Sequence, residues 1–287
     1  MEDQKSSLSQ QITKKQVTIY IHLDPSSYEN LKGYYLFVLR AIATDAADSQ
    51  PIIWKKVPVS NYIELSWNND SFGAYSSLFP PKDRDKITAM NLWHVESGDE
   101  LEITNARNVD GKIHKNGVEG EFHINYIEGK LHKKAFRPSL HILPSFSIFN
   151  STAERVICGL YQDSKNEDDD DSLQIFYEYT LKGDQRIRLT PLPQVILFFL
   201  DDSHYDVSHV IDSNIEKAAL LDWTKVTSDD IDRNPKVDIS ISNQTWPTNE
   251  SWLTIGTLDP SLKTSFENFK RISTSDDYFS NSILKDL

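Results

Sequence analysis

The 287-residue chain has a single cysteine, Cys158, and only ten glycines. One cysteine excludes an internal disulfide framework and any zinc site built from several thiolates. The scarcity of glycine argues against loops that cradle phosphate groups. No P-loop, dinucleotide-binding G-x-G-x-x-G, G-x-S-x-G or H-E-x-x-H pattern occurs, so no standard catalytic motif identifies a reaction.

Long apolar runs are also missing. The longest run, at residues 195–200, has the length of a strand, whereas a membrane-spanning helix needs about 20 apolar residues. The first 16 residues are polar and lack the apolar segment of a secretory signal. From these features we expect a soluble, cytoplasmic protein.

Basic residues are in deficit, with 30 Lys and Arg against 43 Asp and Glu, which gives a formal net charge of −13. Such a field repels nucleic acids and anionic membranes. The most basic stretch, at residues 130–137, is too short to reverse this. We therefore expect no nucleic-acid partner, a membrane partner is disfavoured, and the oligomeric state is left open.

Segments rich in β-forming residues dominate the sequence. The same succession of such segments, separated by similar gaps, occurs twice. The first copy covers residues 53–57, 63–67 and 72–75, and the second covers 175–179, 187–191 and 195–199. A repeated pattern of this kind raises the hypothesis of an internal duplication. It predicts a mainly β fold of two tandem antiparallel β-sandwich domains with little helix.

The expected division places a disordered lead at residues 1–15 and β-sandwich domains at 16–137 and 138–258. A C-terminal helix and tail follow at 259–287. Val17, Ile19, Ile21 and Leu23 alternate along one predicted strand and define its buried face. Helical spacing of apolar residues favours short helices at 214–221 and 259–271.

Four histidines are spaced nine residues apart: His114, His123, His132 and His141. A hairpin turning at Glu128-Gly129 would place Ile127 opposite Lys130, with His123 and His132 on the same face. Imidazoles in this arrangement could bind a transition metal. A meander also repeats about every nine residues, so the sequence favours ordinary exposed side chains. We expect no metal and no cofactor.

Aromatic residues beside amides and carboxylates are the best candidates for a binding site. An aromatic ring can stack on the C–H face of a sugar while polar neighbours bind its hydroxyl groups. The leading hypothesis is thus a non-enzymatic, lectin-like protein that binds a glycan or similar polar ligand. Its candidate ligand-binding residues are Trp67, Asn69, Asp70, Tyr75, Trp93, His94, Trp246, Asn249 and Trp252.

Two alternatives remain open. The first is a cofactor-free isomerase, cyclase or hydrolase with a pocket between the two domains, in which His94, Asp70 and Glu64 exchange protons. The second starts from residues 101–117, which resemble the opening strand and turn of the aegerolysins, small β-sandwich proteins that bind lipids. That resemblance implies a lipid-binding or pore-forming protein.

Overall fold

The computed structural model describes residues 16–44, 51–68, 72–77, 91–95, 98–105, 110–114, 125–127, 130–132, 145–163, 173–201, 204–211, 213–226, 236–259 and 269–271. Within these ranges there are one α-helix, α1 at Pro25–Leu31, and a short 3-10 helix at Trp223–Lys225. The same ranges contain eighteen strands: β1 Gln16–Leu23, β2 Tyr35–Thr44, β3 Ile53–Pro58, β4 Tyr62–Asn68, β5 Phe72–Ser77, β6 Asn91–Val95, β7 Glu100–Asn105, β8 Asp110–His114, β9 Asn125–Ile127, β10 Lys130–His132, β11 Phe146–Asn150, β12 Val156–Asp163, β13 Leu173–Leu181, β14 Gln185–Leu200, β15 Ile215–Asp222, β16 Lys236–Ile241, β17 Leu253–Leu258 and β18 Phe269–Arg271.

The predicted mainly β fold is confirmed, and the strands form three sheets and one isolated hairpin. The small sheet has the order β16-β1-β4, and the four-stranded sheet has the order β13-β12-β5-β6. The large sheet runs β18-β17-β15-β14-β11-β7-β8, with β2 paired to β14 and β3 paired to β2. Strands β9 and β10 form the hairpin, and Ile127 lies opposite Lys130 as predicted.

The tandem arrangement of two sandwiches is not confirmed, because all three sheets combine strands from both sides of residue 138. Strand β1 pairs with β16 in parallel, β5 pairs with β12, and β2 pairs with β14. The repeated sequence pattern also lacks equivalent strands. Strands β4 and β5 belong to different sheets, whereas their counterparts at 187–191 and 195–199 lie in the single strand β14.

Two segments predicted to be helical contain strands instead. Residues 214–221 overlap β15, and the segment 259–271 ends in β18. Strand β15 lies between β14 and β17, and Ala218 to Asp222 are all buried. A strand that is buried on both faces is apolar throughout and does not alternate, so its hydrophobic pattern cannot be told from that of a short helix. The helix prediction was wrong for this reason. Residues 260–268 and 272–287 of the predicted helix and tail, and the expected lead at 1–15, lie outside the described residues.

Helix α1 begins at a well-formed N-cap that also joins two distant parts of the chain. The Asp24 carboxylate accepts hydrogen bonds from the Ser27 N–H (2.6 Å) and the Asn243 N–H (3.3 Å). The Ser27 hydroxyl accepts a bond from the Gln244 N–H at 2.9 Å. Asn243 and Gln244 have φ angles of 52° and 58°, and Ser242 bridges Thr245, as in a tight hairpin turn. The hydrogen bonds from Ser27 chiefly lower the pKa of Asp24 to about 2.

The sheets share a core rich in tryptophan. The Trp54 ring contacts Trp67 edge-on at 5.2 Å between centroids, and Trp67 contacts Trp223 at 5.5 Å. The Arg40 guanidinium lies 4.6 Å from the Phe72 ring centroid and donates to Gln162 Oε1 at 2.5 Å. Burial lowers the pKa of Arg40 to about 9. This packing joins β2 and β3 of the large sheet to β4 of the small sheet and to β5 and β12 of the four-stranded sheet.

Replacing Trp67 with alanine will destabilise the fold, because the side chain is only 6% exposed and fills the centre of this core. We expect the free energy of unfolding to fall by about 3–5 kcal/mol in urea denaturation. Tyr62→Ala, on the opposite face of the same strand, is the matched control and should change it by less than about 0.5 kcal/mol. Equal, small effects of the two substitutions would show that Trp67 is not a core residue.

Asp24 makes a contribution to stability that depends on pH. Its pKa in the folded state, about 2, lies below the ordinary value of 3.8, so the contribution is complete above about pH 4 and is lost as the pH falls through 2. Asp24→Asn keeps an acceptor at the N-cap but cannot titrate. Thermal denaturation should show the wild type more stable than this variant at pH 5, with the difference shrinking towards pH 2. A difference that stays constant over that range would contradict the assignment.

Candidate functional site

The structure distributes the seven predicted site residues that it describes over separate surfaces and the core. Trp67, Tyr75 and Trp246 are buried, Trp93 and Trp252 are half-buried, and His94 and Asn249 are exposed. Asn69 and Asp70 lie outside the described residues. Trp246 stacks on Phe199 at 5.3 Å and donates its indole N–H to the Lys217 carbonyl at 2.8 Å. A sugar could stack on Trp67 or Trp246 only if this packing came apart.

Tyr75 and His94 are the two predicted residues that share a neighbourhood. They lie diagonally on the adjacent strands β5 and β6, since Gly73 pairs with His94 and Tyr75 pairs with Leu92. Trp93 pairs with Ala74 and packs towards the core on the other face. Glu64, which the enzyme hypothesis grouped with His94, lies on β4 of the small sheet. The structure therefore does not bring Glu64 and His94 onto one sheet.

Sequence reasoning missed the outer face of the small sheet. Its inner face is apolar and buried, through Val17, Ile19 and Ile21 of β1 and the corresponding residues of β4 and β16. Because side chains alternate along a strand, the intervening residues lie on the outer face, where all except the buried Thr18 are at least partly exposed to solvent. They are Thr18, Tyr20 and His22 of β1, Tyr62, Glu64 and Ser66 of β4, and Lys236, Asp238 and Ser240 of β16.

Strand register gathers the aromatic side chains of this face into one cluster. Tyr20 has Asp238 on one side and Glu64 on the other, and His22 lies opposite Tyr62. The Tyr20 and Tyr62 rings stack with centroids 5.8 Å apart and an interplanar angle of 21°. The His22 ring lies 5.1 Å from Tyr62. These five residues, Tyr20, His22, Tyr62, Glu64 and Asp238, form what we call the aromatic platform.

The platform is solvated and acidic. Tyr62 is 48% exposed, which is unusual for a large ring in a chain whose other described aromatic residues are mostly packed. His22 Nε2 lies 3.5 Å from Asp238 Oδ1. Partial desolvation, with the nearby Glu64, Tyr20 and Asp238, raises the pKa of Tyr62, so its hydroxyl stays protonated. The surface thus offers flat apolar rings beside carboxylate acceptors and hydroxyl donors.

A sequence signal for the platform did exist. The alternation that identified Val17, Ile19 and Ile21 as buried also assigns Tyr20 and His22 to the solvent side. Placing Tyr62 beside them requires the register of β1 against β4, which aligns residues about 40 positions apart. Periodicity along one strand carries no information about that register.

The sequence also raised, without favouring them, a histidine metal site and a protein that acts on membranes. In the described part of the chain, no group of three or more His, Cys, Asp and Glu side chains is arranged to hold a metal ion. His132 lies opposite Asn125, as predicted, but His123 and His141 fall outside the described residues. The apolar run at 195–200 belongs to β14, and its first four residues are buried. Over the described ranges, no helix has the length and apolar character that crossing a bilayer requires.

No protein-family model, curated protein or solved structure matches this chain. Its function is therefore inferred from the arrangement of its own side chains.

Proposed function

We propose that this protein is a non-enzymatic binding protein that recognises a glycan through the aromatic platform. The observation that carries this proposal is the stacked, solvent-facing pair of Tyr20 and Tyr62 on a sheet whose other face is entirely core. When a ligand covers exposed aromatic rings of this kind, apolar surface is removed from water, which favours binding. The rigid sheet holds the rings in place before binding, so little conformational entropy is lost.

The charges of the platform narrow the class of glycan. Glu64 and Asp238 flank Tyr20, and the whole chain carries a net charge of −13. The Glu64 and Asp238 carboxylates and the net negative charge would repel sulfated or sialylated glycans. The hydroxyl groups of a neutral sugar, by contrast, can donate hydrogen bonds to the two carboxylates. The expected ligand is therefore a neutral glycan that stacks on Tyr62 and hydrogen-bonds to Asp238 or Glu64.

A glycan array carrying matched neutral and acidic glycans tests this proposal. We expect the wild type to bind neutral glycans, and Tyr62→Ala to weaken binding at least about tenfold, equivalent to about 1.4 kcal/mol, because the stacking surface is lost. EDTA should leave binding unchanged, since the recognition needs only rings and carboxylates.

Leu92→Ala is the matched control, because Leu92 is similarly exposed, at 43%, but belongs to the four-stranded sheet. This variant should bind as the wild type does. The proposal fails if the array is blank, or if Tyr62→Ala and Leu92→Ala bind equally well.

A further inference from the structure

The outer face of the four-stranded sheet carries a second polar arrangement, distinct from the platform. Strand register places Leu92, Tyr75, Gly159 and Glu178 in one row across β6, β5, β12 and β13. Residues directly opposite one another in a sheet share a face, so Tyr75 and Glu178 are on the same side with Gly159 between them.

Because Gly159 has no side chain, the Tyr75 ring can lie over strand β12, in the direction of Glu178. A Cβ atom at position 159 would lie 2.6 Å from Tyr75 Cε1 and 1.8 Å from the Tyr177 carbonyl oxygen. The tyrosine ring therefore occupies the space above the glycine. Adjacent strands are about 4.8 Å apart, so a ring lying over β12 carries its hydroxyl towards β13 and the Glu178 carboxyl.

Both of these polar groups are buried without a hydrogen-bond partner. Tyr75 is fully buried, and neither its hydroxyl nor Glu178 Oε2 makes a hydrogen bond. Desolvation raises the pKa of Glu178 to about 8, and desolvation together with Glu178 raises that of Tyr75 well above its ordinary value. At neutral pH the pair thus presents two O–H groups able to donate, and leaving such groups unsatisfied is costly.

Apolar residues pack around Tyr75, whereas the Glu178 side chain as a whole is only partly buried. Tyr75 packs with Ile52, Tyr161, Ile175 and Val210. The loop at 204–211 holds Val210 there through hydrogen bonds from Ser208 and Ile211 to the backbone at 51–53. Glu178 lies on β13, an outer strand of its sheet, and its side chain is partly exposed although its Oε2 atom is buried.

We propose that Tyr75 and Glu178 form a second ligand site, which binds the carbonyl oxygen of a small neutral molecule. A carbonyl oxygen has two lone pairs and no hydrogen, so it can accept from both O–H groups among apolar walls. An anion would have to give up its hydration in a desolvated site that offers no positive charge opposite it, which is costly.

Ligand-observed NMR with cyclohexanone and N-methylacetamide as probes tests the site, together with the melting temperature of the free protein. Tyr75→Phe removes only the hydroxyl oxygen. We expect it to weaken probe binding at least about tenfold, and to leave the melting temperature of the free protein unchanged or higher, because an unsatisfied buried group is removed. Glu178→Gln keeps a neutral donor and should bind within about threefold of the wild type, whereas Glu178→Leu should not bind.

Tyr177→Phe is the matched control. The Tyr177 hydroxyl already bonds to Thr44 Oγ1 at 3.4 Å, so its removal takes no donor from the Tyr75–Glu178 pair and this variant should bind the probes normally. The proposal is overturned if the wild type binds neither probe, or if Tyr75→Phe binds them as well as the wild type does. A lower melting temperature for Tyr75→Phe, with no probe binding to the wild type, would mean that the hydroxyl serves only to hold a structural water.

Discussion

The pairing of β14 is the constraint on which the rest of the structure depends. This sixteen-residue strand pairs with β2 along one edge and with β11 and β15 along the other, so it joins the first and second halves of the chain in one sheet. Its register with β2 shifts between Pro191 and Val195, where Pro191 and Pro193 lack the N–H that regular pairing needs. The two halves therefore form one interleaved assembly of strands, and neither can complete its sheets alone.

The core that fills the space between the sheets determines which aromatic residues remain for function. Trp67 of the small sheet contacts both Trp54 of the large sheet and Trp223, and the Arg40 guanidinium lies against the Trp54 face. Burying these large rings contributes strongly to stability. These large rings are thus committed to packing, which leaves the smaller rings of Tyr20, His22 and Tyr62 for the ligand recognition that we propose.

The two proposed sites differ in their chemistry. The aromatic platform is exposed and carries carboxylates, so it accepts hydrogen bonds from hydroxyl groups in water. The Tyr75–Glu178 pair is largely buried and presents O–H groups, so it donates to an acceptor in an apolar setting. They lie on different sheets, which allows each to change without disturbing the other. Both depend on register between strands rather than on a contiguous motif, which accounts for the absence of any recognisable signature.

The sequence by itself determined the β character of the chain, the buried face of β1 and the register of the β9–β10 hairpin. These properties depend on alternation and turn residues within a few positions of one another. Only the tertiary structure decided that Trp67 is a core residue and that residues 215–222 form a strand. It also decided that Tyr62 lies beside His22, and that Tyr75 and Glu178 lie in one row on either side of Gly159. Alternation states which face of a strand is buried but not which strand lies next to it. For β1 and β16 that neighbour is about 220 residues away, and the choice depends on the packing of the whole chain.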